Sequence, residues 1–166
     1  CIIYSQLKAK RYSYMAVIRL AKIAQTRKPS SRLMGLDLGS KTIGLALSDV
    51  SLLIASPLGT IKRAKFTNDA ETLEALIDEH DVGGFVIGLP INMDGSEGPR
   101  CQSTRQFASN LLERRDLPLA FWDERLSTVA VERILIDEID MTRKRRAQVV
   151  DKAAATYILQ GALNSL

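Results

Sequence analysis

Residues Leu33–Ser48 read LMGLDLGSKTIGLALS, and this stretch decides the fold. It holds two apolar runs, Leu33–Leu38 and Ile43–Leu47, around the turn Gly39-Ser40-Lys41-Thr42. Two strand-length runs flanking a glycine-containing turn predict a β-hairpin. Asp37 interrupts the first run between Leu36 and Leu38. An ionised carboxylate in a packed sheet is costly unless it is paired or binds a cation. One reading has Asp37 accepting backbone N–H groups from the turn. The other has it fixed on a rigid strand as a cation ligand, with Gly39 letting a phosphate approach the backbone.

Downstream of the hairpin, Ala55–Ile61 is expected to add a third strand, with Pro57 placing it at an edge. A helix capped by Thr67 or Asn68 should run to about Glu79, its apolar stripe made by Leu73, Leu76 and Ile77. Gly84–Leu89, GFVIGL, reads as a buried strand, followed by the polar loop Pro90–Gly98, PINMDGSEG. A helix from about Pro99 to Glu113 leads to a strand at Leu119–Trp122. That strand ends in Asp123-Glu124-Arg125. Ser127 or Thr128 should cap a helix bearing Val131, Ile134 and Leu135, and Arg143-Lys144-Arg145-Arg146 opens a last helix to about Leu163. The order β-β-β-α-β-α-β-α-α predicts an α/β mixed sheet with helices on both faces.

Composition narrows the function. The chain has 166 residues, 46% hydrophobic and 25% charged, as one globular domain would. No apolar run approaches a membrane span. Cys1 and Cys101 form no metal-ligand spacing and no disulfide framework, which suits a reducing compartment and a cytoplasmic protein. His80 is the only histidine and reads as a surface residue of a helical pattern, which argues against a histidine-based triad and rules out a multi-histidine zinc site. The net charge of +4 is unevenly spread: residues 1–32 carry eight of the 23 Lys and Arg and no Asp or Glu. Residues 33–166 then hold 15 basic against 19 acidic side chains, so global charge is no argument for a nucleic-acid partner. The basic segment has three readings: a transit-type peptide, an upstream extension with Met15 as initiator, or a phosphate-touching arm. The second is adopted, and the fold is expected to begin at Leu33.

Two later acids stand beside Asp37. Asp123 and Glu124 lie where a buried strand ends, the usual ligand position in open α/β sheets; the alternative is solvation, or pairing with Arg125. Asp151 shares a helical stripe with Ala154, Ala155, Ile158 and Ala162, as a carboxylate on a closely packed helix would; the alternative is an ion pair with Arg145 or Lys152. Converging carboxylates repel unless a cation sits among them. Oxygen-only ligands suit Mg²⁺ or Mn²⁺, and a pair of such ions suits phosphodiester hydrolysis without a histidine base.

Four ordered stretches carry a resemblance: GLDLGSKTIGLALSD (Gly35–Asp49), VIGLPINMDGSEG (Val86–Gly98), WDERLST (Trp122–Thr128) and VDKAAATYIL (Val150–Leu159). From Met34 to about Gly161 the chain resembles the YqgF family of the RNase H-like superfamily, whose members are named Holliday junction resolvases or pre-16S rRNA nucleases. The resemblance implies a five-stranded mixed sheet and an acidic site of Asp37, Glu124 and Asp151, with Asp123 as the substitute for Glu124. It implies Mg²⁺ or Mn²⁺ as cofactor and hydrolysis of nucleic acid, in maturation of the pre-16S rRNA 5′ end or in resolution of branched DNA. The Pro90–Gly98 loop, with Asn92 and Gly95, is expected to face substrate. Lys41, Arg125, Arg143, Arg145 and Arg146 are the other expected substrate contacts. Actin-like ATPases share the Asp-x-Gly hairpin, but they need a second phosphate hairpin and twice this length, so no nucleotide cofactor is expected. A non-catalytic nucleic-acid binder on the same scaffold is the remaining rival.

Overall fold

The computed structural model describes residues 18–126 and 143–166; for 143–152 it describes the helical backbone. The hairpin forms as read. Strand β1 (Arg32–Leu38) pairs antiparallel with β2 (Thr42–Ser48), with Asp37 opposite Gly44. Strand β3 (Ala55–Lys62) adds outside β2, and the register slips between Leu45 and Ala46, beside Pro57. A slip there accommodates a residue that has no N–H to give the ladder. Strands β4 (Val82–Leu89) and β5 (Leu119–Asp123) continue the sheet on the other side of β1, both parallel. The order is β3-β2-β1-β4-β5, a five-stranded mixed sheet. All eight residues of β4 are buried, and the strand starts two residues before the expected Gly84.

Four helices are described: α1 (Leu20–Thr26), α2 (Phe66–His80), α3 (Pro99–Arg114) and α4 (Arg143–Asn164). Helix α2 starts earlier than its expected cap. Lys65 occupies the capping position, and Asp69 reaches back to accept the Ala64 N–H at 3.0 Å. Neither Thr67 nor Asn68 caps it: both lie inside the first turn, and Asp69 instead ties the chain just ahead of the helix to that turn. The expected helix with Val131, Ile134 and Leu135 lies outside the described residues.

Alternation along the strands sends side chains to two cores. Met34, Leu36, Leu38, Phe85 and Ile87 pack with α2 and α3; Leu33, Ala46, Val86 and Ala120 pack with α1 and α4. On the second face Ile158, at 1% exposure, and Leu159, at 0%, are buried. Each such side chain contributes about 1.5–3 kcal/mol relative to exposure. The helix sits almost on the strand backbone: a Cβ on Gly35 would lie 2.8 Å from Leu159 Cβ and 3.0 Å from the Ala155 carbonyl oxygen.

The fold does not begin at Leu33. Ile23 of α1 is completely buried in the second core, the Ile18 N–H donates to the Leu119 carbonyl at 2.9 Å, and Arg32 already belongs to β1. A short apolar stripe inside a basic segment therefore anchors residues 18–32, where charge alone suggested an appendage. Met15 and the residues before it lie outside the described part.

Candidate active site

Asp37 stands next to last in β1 and is half-buried. Leu36 and Leu38 turn to the α2–α3 core, so Asp37 faces the α4 side. Registers Leu36↔Ile87 and Gly88↔Trp122 set Asp37, Gly88 and Trp122 in one row across three strands. The Gly39 N–H of the hairpin turn donates to the Thr42 carbonyl at 2.9 Å, so that donor is not held by Asp37.

Glu124 opens a short 3₁₀ turn, Glu124–Leu126, immediately after β5. Its side chain folds back over the sheet, into the space that Gly88 leaves. A Cβ on Gly88 would lie 2.6 Å from Glu124 Oε1 and 3.0 Å from its Cγ. A hydrogen bond joins the Glu124 carboxyl to that of Asp37. Burial pushes the Glu124 pKa up. The positive charge of Arg100 and the Asp37 hydrogen bond draw it down, and the negative charge of Asp123 adds to the rise. Two carboxyl groups in hydrogen-bond contact must share a proton or a cation.

Asp123 is occupied elsewhere. It accepts Arg125 Nε at 2.9 Å, Nη2 at 2.6 Å and the Arg125 backbone N–H at 3.0 Å. The Arg125 guanidinium holds the Asp123 carboxyl below the usual carboxylate range. Of the two adjacent acids, the structure therefore brings Glu124 to Asp37 and ties Asp123 to its own turn.

Asp151 lies on α4 one turn before Ala155, the residue whose carbonyl touches β1 at Gly35. Its side chain lies outside the described residues, as do those of Arg143, Arg145 and Arg146. Among the described residues no three His, Cys, Asp or Glu side chains gather; Asp37 and Glu124 meet as a pair.

The other expected contacts divide. Lys41 is exposed in the β1–β2 turn. Asn92 and Gly95 close a tight turn: the Gly95 N–H donates to the Asn92 carbonyl at 2.8 Å, and Asn92 Nδ2 donates to Ser96 Oγ at 3.1 Å. Gly95 has φ +87°, which side-chain-bearing residues adopt only with strain. Arg125 bridges the 3₁₀ turn and this loop, its Nη1 being 3.7 Å from the position of a Gly95 Cβ. Its charge is already engaged by Asp123, so it braces the site more directly than it presents a free cation. Sequence reasoning missed Arg100, the cation that acts on Glu124, and Gly88. A glycine inside an apolar strand signals a close approach, and Gly88 carried that signal.

A β1–β2–β3 meander continued by two parallel strands, with carboxylates meeting where the first and last end, is an RNase H-like arrangement. A family model described as "RuvX: Holliday junction resolvase" matches residues 31–165, and the chain belongs to that family. It hydrolyses phosphodiester bonds of nucleic acid, as the family's nucleases do. A relative from Paramagnetospirillum magneticum named "Putative pre-16S rRNA nuclease" is 61% identical, over 91% of this chain and 97% of its own. One of the same name from Phenylobacterium zucineum is 59% identical, over 92% and 98%. Among solved structures, Thermus thermophilus RuvC in complex with a Holliday junction substrate aligns with a TM-score of 0.52 at 12% identity, covering 81% of this chain and 94% of that one. The fowlpox virus resolvase bound to Holliday junction DNA aligns at 0.50 with 11% identity, covering 81% and 97%. These two likenesses establish the fold.

Proposed function

We propose that the chain is a divalent-cation-dependent nuclease that trims precursor 16S rRNA at its 5′ end, with Asp37, Glu124 and Asp151 as the cation-holding and catalytic acids. The observation that carries this reading is the contact between the Asp37 and Glu124 carboxyl groups in a half-buried site. The donor set fits a hard cation: it consists of carboxylate oxygens, with neither histidine nor thiolate beside them. Mg²⁺ or Mn²⁺ bound there supplies Lewis-acid stabilisation of charge on the scissile phosphate and an acidified water.

The chain's own residues do the rest. Gly88 leaves the room in which Glu124 lies against Asp37. Arg100 biases Glu124 toward the ionised form that a cation needs. The Asp123–Arg125 pair fixes the turn from which Glu124 springs. Lys41, Asn92, Gly95, Arg125, Arg143, Arg145 and Arg146 are the proposed substrate contacts. Among the described residues no helix is long and apolar enough to cross a membrane. The proposed place of action is the cytoplasm, where rRNA precursors are processed.

The names of the relatives at 59–61% identity favour the rRNA precursor. The family description favours a branched DNA junction as the second reading. Purified protein incubated with a 5′-extended pre-16S rRNA fragment and with a four-way DNA junction, each with and without Mn²⁺, separates them. Cleavage of the RNA alone, only with Mn²⁺, is expected. Junction cleavage alone would transfer the function to DNA, and cleavage in chelator would remove the cation from the mechanism.

A further inference from the structure

Beside the acids, on the other side of the β1 end, lies a cavity of about 210 Å³ that none of the expected substrate contacts lines. Its walls are Gly39 and Ser40 of the hairpin turn, Arg63 just after β3, and Arg100, Ser103 and Thr104 of the first turns of α3. The elements are far apart in sequence and converge only in the fold. Two cations and three hydroxyl-bearing residues share one small open space.

The two arginines differ from their neighbours in the state of their charge. Arg105, Arg114, Arg115 and Arg125 each form an ion pair with a carboxylate. Among the described residues neither Arg63 nor Arg100 has such a partner. Arg63 is held nonetheless: its Nη1 donates to the Gly39 carbonyl at 2.7 Å, its backbone N–H donates to the Lys41 carbonyl at 2.9 Å, and its guanidinium lies 5.7 Å from the Phe107 ring centroid. A fixed arginine retaining unused donors, opposite an exposed one, is a fork for phosphate oxygens. Arg100 also acts on Glu124, so the cavity and the acidic pair share a side chain.

We propose that the Arg63–Arg100 cavity is a phosphate subsite that grips one internal backbone phosphate of the substrate, flanking the one that is cut. A grip on a neighbouring phosphate sets the register of the strand over the acids while carrying no sequence information. This rests on the nuclease reading, but its test reads binding, so the two fail separately.

The experiment uses the full chain carrying Asp37→Asn, and oligonucleotide substrates in which single phosphates around the cut site are replaced in turn by neutral methylphosphonates. Equilibrium binding is measured across a salt series for this protein, and for versions that add Arg100→Ala or Arg63→Lys. One methylphosphonate position should weaken binding to the protein with both arginines and leave binding to the Arg100→Ala version unchanged. Arg100→Ala should also lower the slope of log K against log[salt] by about 0.7 on single strands or 0.9 on duplex. Between 50 and 200 mM salt that is about a 2.6-fold or 3.5-fold smaller loss of affinity. Arg63→Lys retains charge but not the fork, and should weaken binding with the slope nearly intact. Equal sensitivity of all proteins at every methylphosphonate position would overturn the proposal. So would an effect confined to substrates with a terminal 5′-phosphate at the site, because the cavity would then read a chain end. Cleavage by the protein that retains Asp37 checks the nuclease reading on its own.

Discussion

Replacing Gly88 by alanine should separate the stability of this domain from its chemistry. The new Cβ would lie 2.5 Å from Ile158 Cδ1 and 2.6 Å from Glu124 Oε1, both far inside contact distance. Both atoms end flexible side chains, so relief comes by rotation. Ile158 must turn within a buried core, at 1% exposure, which puts the cost near the low end of overpacking, about 1 kcal/mol. For a domain of this size that lowers Tm by roughly 2–4 °C. Glu124 must leave its place against Asp37, where the proposed cation site needs it. A displacement of about 1 Å of a positioned group costs on the order of 100-fold in rate. Thermal unfolding and single-turnover cleavage with Mn²⁺ read the two effects. Adding Ile158→Val to Gly88→Ala should restore most of the Tm and none of the rate, since only the contact with Ile158 is relieved. Wild-type cleavage by Gly88→Ala at normal Tm would refute the placement of Glu124 over Gly88, and with it the pairing of the acids.

Three further outcomes follow from the same geometry. Burial raises the Glu124 pKa, so the folded state keeps a proton that the unfolded chain releases near pH 4.3. Stability of the cation-free protein should therefore fall as pH rises from about 4.3 through that raised value, and Glu124→Gln should unfold at a higher temperature than wild type at pH 7 while matching it at pH 4; a lower Tm at pH 7 would contradict the burial argument. Ile23→Ala should cost about 2–5 kcal/mol in denaturant unfolding, as truncation of a fully buried side chain does, and an unchanged midpoint would return residues 18–32 to the status of an appendage. Asp123→Asn keeps an oxygen acceptor for Arg125 but weakens the ion pair that fixes the Glu124 turn, so it should cut more slowly than wild type yet clearly faster than Asp37→Asn or Glu124→Gln; a dead Asp123→Asn with an active Glu124→Gln would move the strand-end ligand back one residue.

Asp37 and Glu124, which the structure brings together, stood out in the sequence because each breaks a pattern. Asp37 is a charge between Leu36 and Leu38, and Glu124 follows the apolar end of β5. The choice between Asp123 and Glu124 was not legible, since adjacent residues have the same neighbours in sequence. In the structure Arg125 reaches Asp123, two residues back, and Glu124 is the one that meets Asp37. The start of α2 was misplaced because Thr67 and Asn68 look like caps, whereas they lie inside its first turn and Asp69 takes the Ala64 N–H from within the helix. Ile23 was hidden by its basic surroundings, which say nothing about which side of a short helix meets the sheet. Arg63 and Arg100 sit at the ends of unconnected elements, and only the closure of β3 and α3 around the hairpin turn brings them to one cavity.

The parallel pairing of β1 with β4 and of β4 with β5 governs when this chain becomes dangerous to nucleic acid. The β1–β2–β3 meander is local and is complete in sequence by Lys62, with Asp37 already on its strand. Glu124 arrives only after β4 has been laid beside β1 and β5 beside β4, contacts between strands far apart in sequence, which form slowly. A nascent or partly unfolded chain therefore holds Asp37 without Glu124, and the proposed acidic site is incomplete in it. With the three acids acting together as proposed, cutting waits until both β5 and the helix that carries Asp151 are in place.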